Sequence, residues 1–281
     1  MAERFEGNAY ASATRMLSRE SLDALYICVP PNAHGPYEIA GAKAGCALFI
    51  EPPIALNLRT AQSVQGAIGK SGVLCSVGSY WRYFEATERL RKVLAPKSAP
   101  KPLLLSGQWL AGPPATAWRR DAKSGGLWLE ESYALLDLVR LLGGEVKRVS
   151  AFAASLAIKE EYPDATLKDT CSAILQMQSG VLASLGAGSF LQEGFESGFS
   201  VATREACFWL RDGQLETRRG AETSIYSGSE DAFALQSEAF LRAVQNGKRT
   251  EIRASYTDAM KTLRLGLALN RASLAGKAVE L

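Results

Sequence analysis

Ala24-Leu25-Tyr26-Ile27-Cys28-Val29 is an unbroken apolar run closed by Pro30-Pro31-Asn32. A run this short, ended by turn residues, reads as a strand buried on both faces. Two runs of the same kind follow: Cys46-Ala47-Leu48-Phe49-Ile50, stopped by Glu51-Pro52-Pro53, and Val73-Leu74-Cys75-Ser76-Val77 before Gly78. Between them lie two helical stretches, from about Gly35 to Ala44 with Gly45 in the C-cap place, and from Leu58 to Gly69. Continuous rather than alternating apolar strands, spaced by helices, predict a parallel sheet covered on both faces. In such sheets ligands bind beyond the carboxyl ends of the strands. Those ends are residues 30–34, 51–53 and 78–82.

The rest of the chain changes character. A helix is expected from Phe84 to Leu94, then a Pro/Lys-rich connection to Pro102 and a strand opening at Leu103-Leu104-Leu105. Residues 146–156, 170–178, 181–190, 198–203 and 206–211 read as strands of a second sheet, and residues 231–246 and 256–275 as helices. Lys123-Ser124-Gly125-Gly126 opens a strongly apolar helix from Leu127 to Leu142, ended by Gly143-Gly144. A helix apolar nearly all round is buried, so its polar groups are costly unless they pair or line a cavity. Glu130, Ala134 and Asp137 share one face of that helix by spacing, and Tyr133 flanks it. Glu130 and Asp137 either pair with core arginines or serve a site.

Composition narrows the function classes. With 32 Lys+Arg against 29 Asp+Glu, the net charge of +3 gives no electrostatic footprint for nucleic acid. No apolar run approaches the roughly 18 residues of a membrane span, and the opening residues carry no signal-peptide segment. Cys28, Cys46, Cys75, Cys171 and Cys207 form no C-x-x-C pair and read as reduced thiols of a cytoplasmic protein. The single histidine, His34, has no local metal-ligand spacing around it, so no metal is expected. There is no G-x-S-x-G elbow, and Gly69-Lys70-Ser71 lacks the earlier glycine of a phosphate loop, where Val64 stands instead.

The order of elements and the residues at the strand ends resemble the Gfo/Idh/MocA family of NAD(P)-dependent oxidoreductases. Val29-Pro30-Pro31-Asn32-Ala33-His34 is similar to that family's T-P-x-x-x-H turn, and Ala44-Gly45 through Glu51-Pro52-Pro53 to its A-G-K-H-V-x-x-E-K-P segment. Val77-Gly78 through Arg82-Tyr83 resembles its next strand end. Trp118-Arg119, Gly125-Gly126 and Glu130 through Asp137 resemble its W-R and G-G-G-x-L-x-[DE]-x-G-x-H-x-x-D segments, and Glu238–Gly247 and Tyr256–Ala259 its late helices. The resemblance implies an α/β fold. A partial Rossmann-like parallel sheet (residues 1–78) would precede an α+β domain (79–281) with a large mixed, mostly antiparallel sheet. It implies hydride transfer between NAD or NADP and a sugar- or cyclitol-like substrate, and a homo-oligomer formed through the open face of the second sheet. The cofactor would meet Pro30, Asn32, His34, Glu51, Pro52 and Arg82, and the substrate Trp118 and Arg119.

Three departures bear on chemistry. The sequence holds no G-x-G-x-x-G, and Met1–Phe5 reads like the helix after the family's second strand, so the phosphate-binding start is expected to be missing. The open edge beside residues 24–29 then predicts poor solubility of residues 1–281 alone, unless another chain covers it. The family's catalytic lysine position is Pro52, and its helix histidine and glycine positions are Ala134 and Ser132. Tyr133, Tyr80, Arg82, Glu130 and Arg119 are the groups placed to take over the proton, with Tyr133, Asp137 and Glu130 the catalytic candidates. Plain structural roles stand beside these readings. Tyr133 would be a buried aromatic, His34 a side chain bonded locally at a helix start, and Glu51 a salt-bridge partner. The alternative is a non-enzymatic binding or regulatory member of the family.

Overall fold

In the computed structural model, which describes residues 3–211, 213–228 and 231–281, the first regular helix is α1 (Ala13–Arg19), capped by the Ser12 side chain. Glu3–Phe5 makes a single turn, and the remainder of the helix expected at the start, Met1 and Ala2, lies outside the described residues. The three apolar runs become strands β1 (Ala24–Ile27), β2 (Ala47–Ile50) and β3 (Cys75–Val77), parallel and in that order across the sheet. Between them run α2 (Pro36–Lys43) and α3 (Leu58–Ser71). Every residue of β2 is buried, because both faces of the sheet are covered. Leu48 and Ile50 pack with Ala61 and Val64 of α3, while Ala47 and Phe49 pack under Phe240. That two-sided burial is why the runs do not alternate. Among the described residues no strand pairs with the outer edge of β1, where Tyr26 stacks on Phe49 at 4.8 Å.

After α4 (Glu85–Leu94) comes a nine-stranded sheet. It is built from β4 (Leu104–Ala111), β5 (Val146–Ala154), β6 (Thr170–Met177), β7 (Leu182–Ser189), β8 (Glu196–Ala202), β9 (Cys207–Arg211), β10 (Gln214–Arg219), β11 (Glu222–Ser227) and β12 (Val279–Glu280), ordered β11-β10-β9-β8-β4-β7-β6-β5-β12. Only the β4–β7 pair is parallel, so the sheet is mixed and mostly antiparallel. Strict alternation of burial along β6 marks a sheet with one packed and one open face. The packed face carries α5 (Tyr133–Gly143) and α8 (Tyr256–Ala275). The short α6 (Ile158–Glu161) and α7 (Ala232–Asn246) complete the helices, α7 lying over the β2 side that holds Phe49.

One helix holds both sheets together. Tyr256, Ala259, Met260 and Leu263 of α8 sit in the core of the parallel sheet, and Leu265, Ala268, Leu269 and Ala272 in that of the large sheet. Its Gly266 meets the preceding segment so closely that an added Cβ would lie 2.3 Å from Leu129.

Burial of charge fixes the seam. Arg82, in the turn Tyr80–Tyr83 after β3, donates from Nε to Asp137 at 2.7 Å and from Nη2 at 2.6 Å, a bidentate pair. Its Nη1 reaches the Arg253 carbonyl at 2.6 Å and its Nη2 also bonds Asp258. Arg140 of α5 bonds Asp258 at 2.9 Å and the Thr262 hydroxyl at 2.6 Å. Removing one partner of such a buried pair leaves a charge uncompensated, at about 3–5 kcal/mol. Asp137→Ala should lower the unfolding free energy by about that much, read from urea denaturation. A loss below about 1 kcal/mol would place this pair with ordinary surface pairs.

Candidate active site

The carboxyl ends of β1 and β2 lead into a buried polar group. His34 follows the turn Pro31–Ala33 and is only 4% exposed. Its Nδ1 bonds the fully buried Glu38, which also accepts the Gly35 amide at the start of α2. With Nδ1–H donating to a carboxylate, Nε2 is the free nitrogen. It is buried and has no hydrogen-bond partner among the described residues. Glu51 stands at the tip of β2 beside it, and burial pushes its carboxyl up while His34 opposes the shift. Pro30 and Asn32 are exposed, and Pro52 is half-buried.

A second polar group lies where the apolar stretch begins. Residues Leu127–Glu131 do not continue into α5 as one helix. They form a single wide turn in which the Ser132 amide bonds back to the Leu127 carbonyl, five residues earlier, at 3.0 Å. The Ser132 hydroxyl takes the same carbonyl at 2.9 Å, so the ladder is interrupted at that residue. The one-face arrangement of Glu130, Ala134 and Asp137 expected from regular spacing is therefore corrected. Asp137 turns to Arg82, and Glu130 turns to Arg119. The segment packs on the parallel sheet: a Cβ on Gly125, just before the turn, would lie 3.1 Å from Leu56, and Leu129 joins that sheet's core.

Glu130 and Glu131 are neighbours in sequence with side chains only 10% and 8% exposed, and both reach one cation. Arg119 Nη2 donates to Glu131 Oε2 at 2.9 Å, and Arg119 Nε lies 3.2 Å from Glu130 Oε1. Glu130 Oε2 and Glu131 Oε1 are buried without a partner among the described residues. Burial pushes the Glu130 carboxyl up, Arg119 pulls it down and the charge on Glu131 pushes it up again, leaving it at about 7. Burial also raises Glu131, against the charge and hydrogen bond of Arg119.

The other expected residues fall outside this group. Tyr133 is buried, and burial together with Asp137 raises its hydroxyl far above the usual range, so it holds its proton at neutral pH. Asp137 spends both carboxyl oxygens on Arg82 and Thr262. Arg82 spends its guanidinium on Asp137, Asp258 and the Arg253 carbonyl, which ties it to the seam rather than to open space. Trp118 is exposed beside Arg119. Glu131 and Glu38 were not among the expected residues. The signal for Glu131 is an adjacent acid pair inside an apolar stretch, and for Glu38 its i,i+4 spacing from His34.

The raised Glu130 has a consequence for stability. A glutamate titrates near 4.3 in an unfolded chain and here near 7. Between those values the native state holds a proton that the unfolded state has lost, so stability falls as pH rises through the window. Glu130→Gln should flatten that fall, measured as the urea midpoint at pH 5 and pH 7.5. An unchanged slope would mean Glu130 titrates normally.

Comparison with known proteins supplies the context. Residues 1–79 match the family model described as GFO_IDH_MocA, an oxidoreductase family with an NAD-binding Rossmann fold, and residues 87–208 match the GFO/IDH/MocA C-terminal domain. Scyllo-inositol 2-dehydrogenase (NAD(+)) of Bacillus subtilis is 25% identical over 282 residues, covering 95% of this chain and 80% of that protein. Myo-inositol 2-dehydrogenase of Thermotoga maritima is 25% identical over 288 residues, 97% of this chain and 84% of that one. Among solved structures, GenD2 from gentamicin A biosynthesis, in complex with NAD, superposes with a TM-score of 0.85 at 18% identity, over 100% of this chain and 84% of that one. An oxidoreductase domain protein from Kribbella flavida gives 0.84 at 18% identity, over 96% and 83%. With both domains matched in order, and with the parallel sheet and the large mixed sheet where those domains fall, this chain belongs to the Gfo/Idh/MocA family of oxidoreductases.

Proposed function

We propose that the protein moves a hydride between NAD or NADP and a hydroxyl or carbonyl carbon of a sugar- or cyclitol-like substrate, with Glu130 exchanging the hydroxyl proton. The observation that carries this reading is the buried carboxyl pair on a single arginine, on a segment whose Leu129 packs into the core of the parallel sheet. It is supported by the inositol dehydrogenases among the relatives.

The strand tips fit one end of a nicotinamide dinucleotide. In this reading Pro30, Asn32, Glu51 and Pro52 are the residues that meet the cofactor, while Glu38 fixes the His34 ring and leaves its buried Nε2 without a protein partner among the described residues. No G-x-G-x-x-G occurs in the sequence, so the pyrophosphate finds no glycine-rich cradle within these residues. The nicotinamide, when bound, supplies or accepts the hydride. The chain's own part is the proton. Pro52 and Ala134 have no titratable group, Tyr133 keeps its proton, and Asp137 is held by Arg82. Glu130, poised near neutrality and with an oxygen free, is the group matched to that exchange. Arg119 holds the pair in place, and Trp118 offers an exposed ring to a sugar face.

The test is a titration with NADH and NADPH followed by turnover on a panel of cyclitols and aldoses. Saturable cofactor binding with turnover is expected, and Glu130→Gln should lower turnover by about 10²–10⁴-fold with cofactor affinity little changed. Binding without turnover across the panel would favour a non-enzymatic binding protein.

The same reading includes assembly. On the open face of the large sheet, Ser150, Ile174, Ser184, Ser106, Ser200 and Trp209 lie in register across the strands, and Phe152 and Leu182 stand exposed near them. Flat, small and apolar in places, this face suits a second copy of the chain. Phe152→Lys with Ile174→Lys should convert the oligomer to monomer by light scattering, and a wild-type monomer would refute the assembly. Among the described residues no helix is long and apolar enough to cross a membrane. The free thiols suit a reducing cytoplasm.

A further inference from the structure

Two carboxylates share one guanidinium in the wide turn, but not equally. The hydrogen bond from Nη2 to Glu131 is the single side-chain hydrogen bond Arg119 makes among the described residues. Its Nε lies 3.2 Å from Glu130 but is not aligned as a donor to it. Glu130 therefore has a cation nearby without that cation's hydrogen bond, and keeps Oε2 free. Successive residues of a regular helix do not face the same partner. The wide turn Leu127–Glu131 is what brings both acids onto Arg119.

We propose that Glu131 is a positioning residue, which claims the hydrogen bond of Arg119 and so leaves Glu130 a protonatable carboxyl facing the substrate hydroxyl. The second half of that statement rests on Glu130 being the acid–base group. The first half concerns only the folded chain. Two neighbouring carboxylates with one cation cannot both ionise cheaply, and the acid deprived of the hydrogen bond is the one that keeps the proton. The position of Glu130 near neutrality agrees with this.

The surroundings leave few other charges to act. Arg119 comes from the turn Ala117–Arg120, and Glu131 from the same turn as Glu130. Where α8 crosses this segment it brings Gly266 to Leu129 and Asn270 to Gly125, both uncharged. Asp137 of α5 is neutralised by Arg82, and Asp169, just before β6, is bound by the amides of Leu156, Ala157 and Ile158.

The test is Glu131→Gln, which removes the like charge and frees Arg119 for Glu130, both pushing the same way. Carboxyl carbon-13 resonances, with Glu130 assigned by its loss in Glu130→Gln, report the midpoint of Glu130 in the full chain without cofactor or substrate. It should fall by about one pH unit or more, and Glu131→Asp should restore it in part. An unmoved midpoint in folded protein overturns the proposal. If Glu131→Gln does not fold, Arg119→Gln serves instead, and there the midpoint must rise; an unmoved or lower one overturns the proposal. The pH–rate profile separates the two halves. A limb that follows the resonance supports both. A resonance that moves while the rate does not upholds the control of Glu130 by Glu131 and overturns Glu130 as the acid–base group.

Discussion

Arg82 and Arg140 sit inside the protein at a place where apolar side chains would be easier to accommodate. Their charges are tolerable only because Asp137 and Asp258 answer them with aligned hydrogen bonds. Burial works against the ionised Asp258, yet Arg82 and Arg140 hold its carboxyl below the usual range, so the pairing outweighs the desolvation. This network joins the turn after β3 to α5 and to α8. Once those elements are locked together, the strand tips and the start of α5 cannot move apart.

The lock also explains the wide turn. The start of α5 is fixed by Asp137 on Arg82, and Leu129 is fixed between Gly266 of α8 and the core of the parallel sheet. Regular helix through both points would put the residue at 130 on the Asp137 face. An i,i+5 turn closed by Ser132 changes that and sends Glu130 and Glu131 toward Arg119 instead. A fold that keeps its other buried charges paired has thus placed two unpartnered carboxyl oxygens, one on Glu130 and one on Glu131, at one spot.

The parallel sheet was legible because burial on both faces writes itself as unbroken apolar runs, at 24–29, 46–50 and 73–77. β10 and β11 were not, since Gln214–Arg219 and Glu222–Ser227 are largely polar strands at a sheet edge and carry little alternation. β12 is too short to show any pattern. The helix read over 127–142 was right in being buried and wrong in being continuous, because composition records burial but not which carbonyl an amide chooses. Glu131 escaped for the same reason. The adjacent acid pair inside an apolar stretch marks it, but that it shares Arg119 with its neighbour depends on the turn.

The positions that resemble the family's lysine and histidine hold Pro52 and Ala134, so the proposed reaction assigns the proton to a group of different chemistry. Proton exchange is most effective when donor and solution compete evenly for the proton. Tyr133 binds its proton too tightly for that, and Asp137, doubly bonded to Arg82, has no free oxygen to offer. His34 has a free Nε2, but it lies at the strand tips with the residues expected to meet the cofactor, where a ring fixed by Glu38 is suited to holding a ligand hydroxyl. Glu130 combines an unpartnered oxygen, a carboxyl raised to about 7 and a nearby cation to steady the ionised form. A like-charge neighbour and burial can thus do for a carboxyl what the chemistry of an imidazole does unaided: hold its proton loosely at neutral pH.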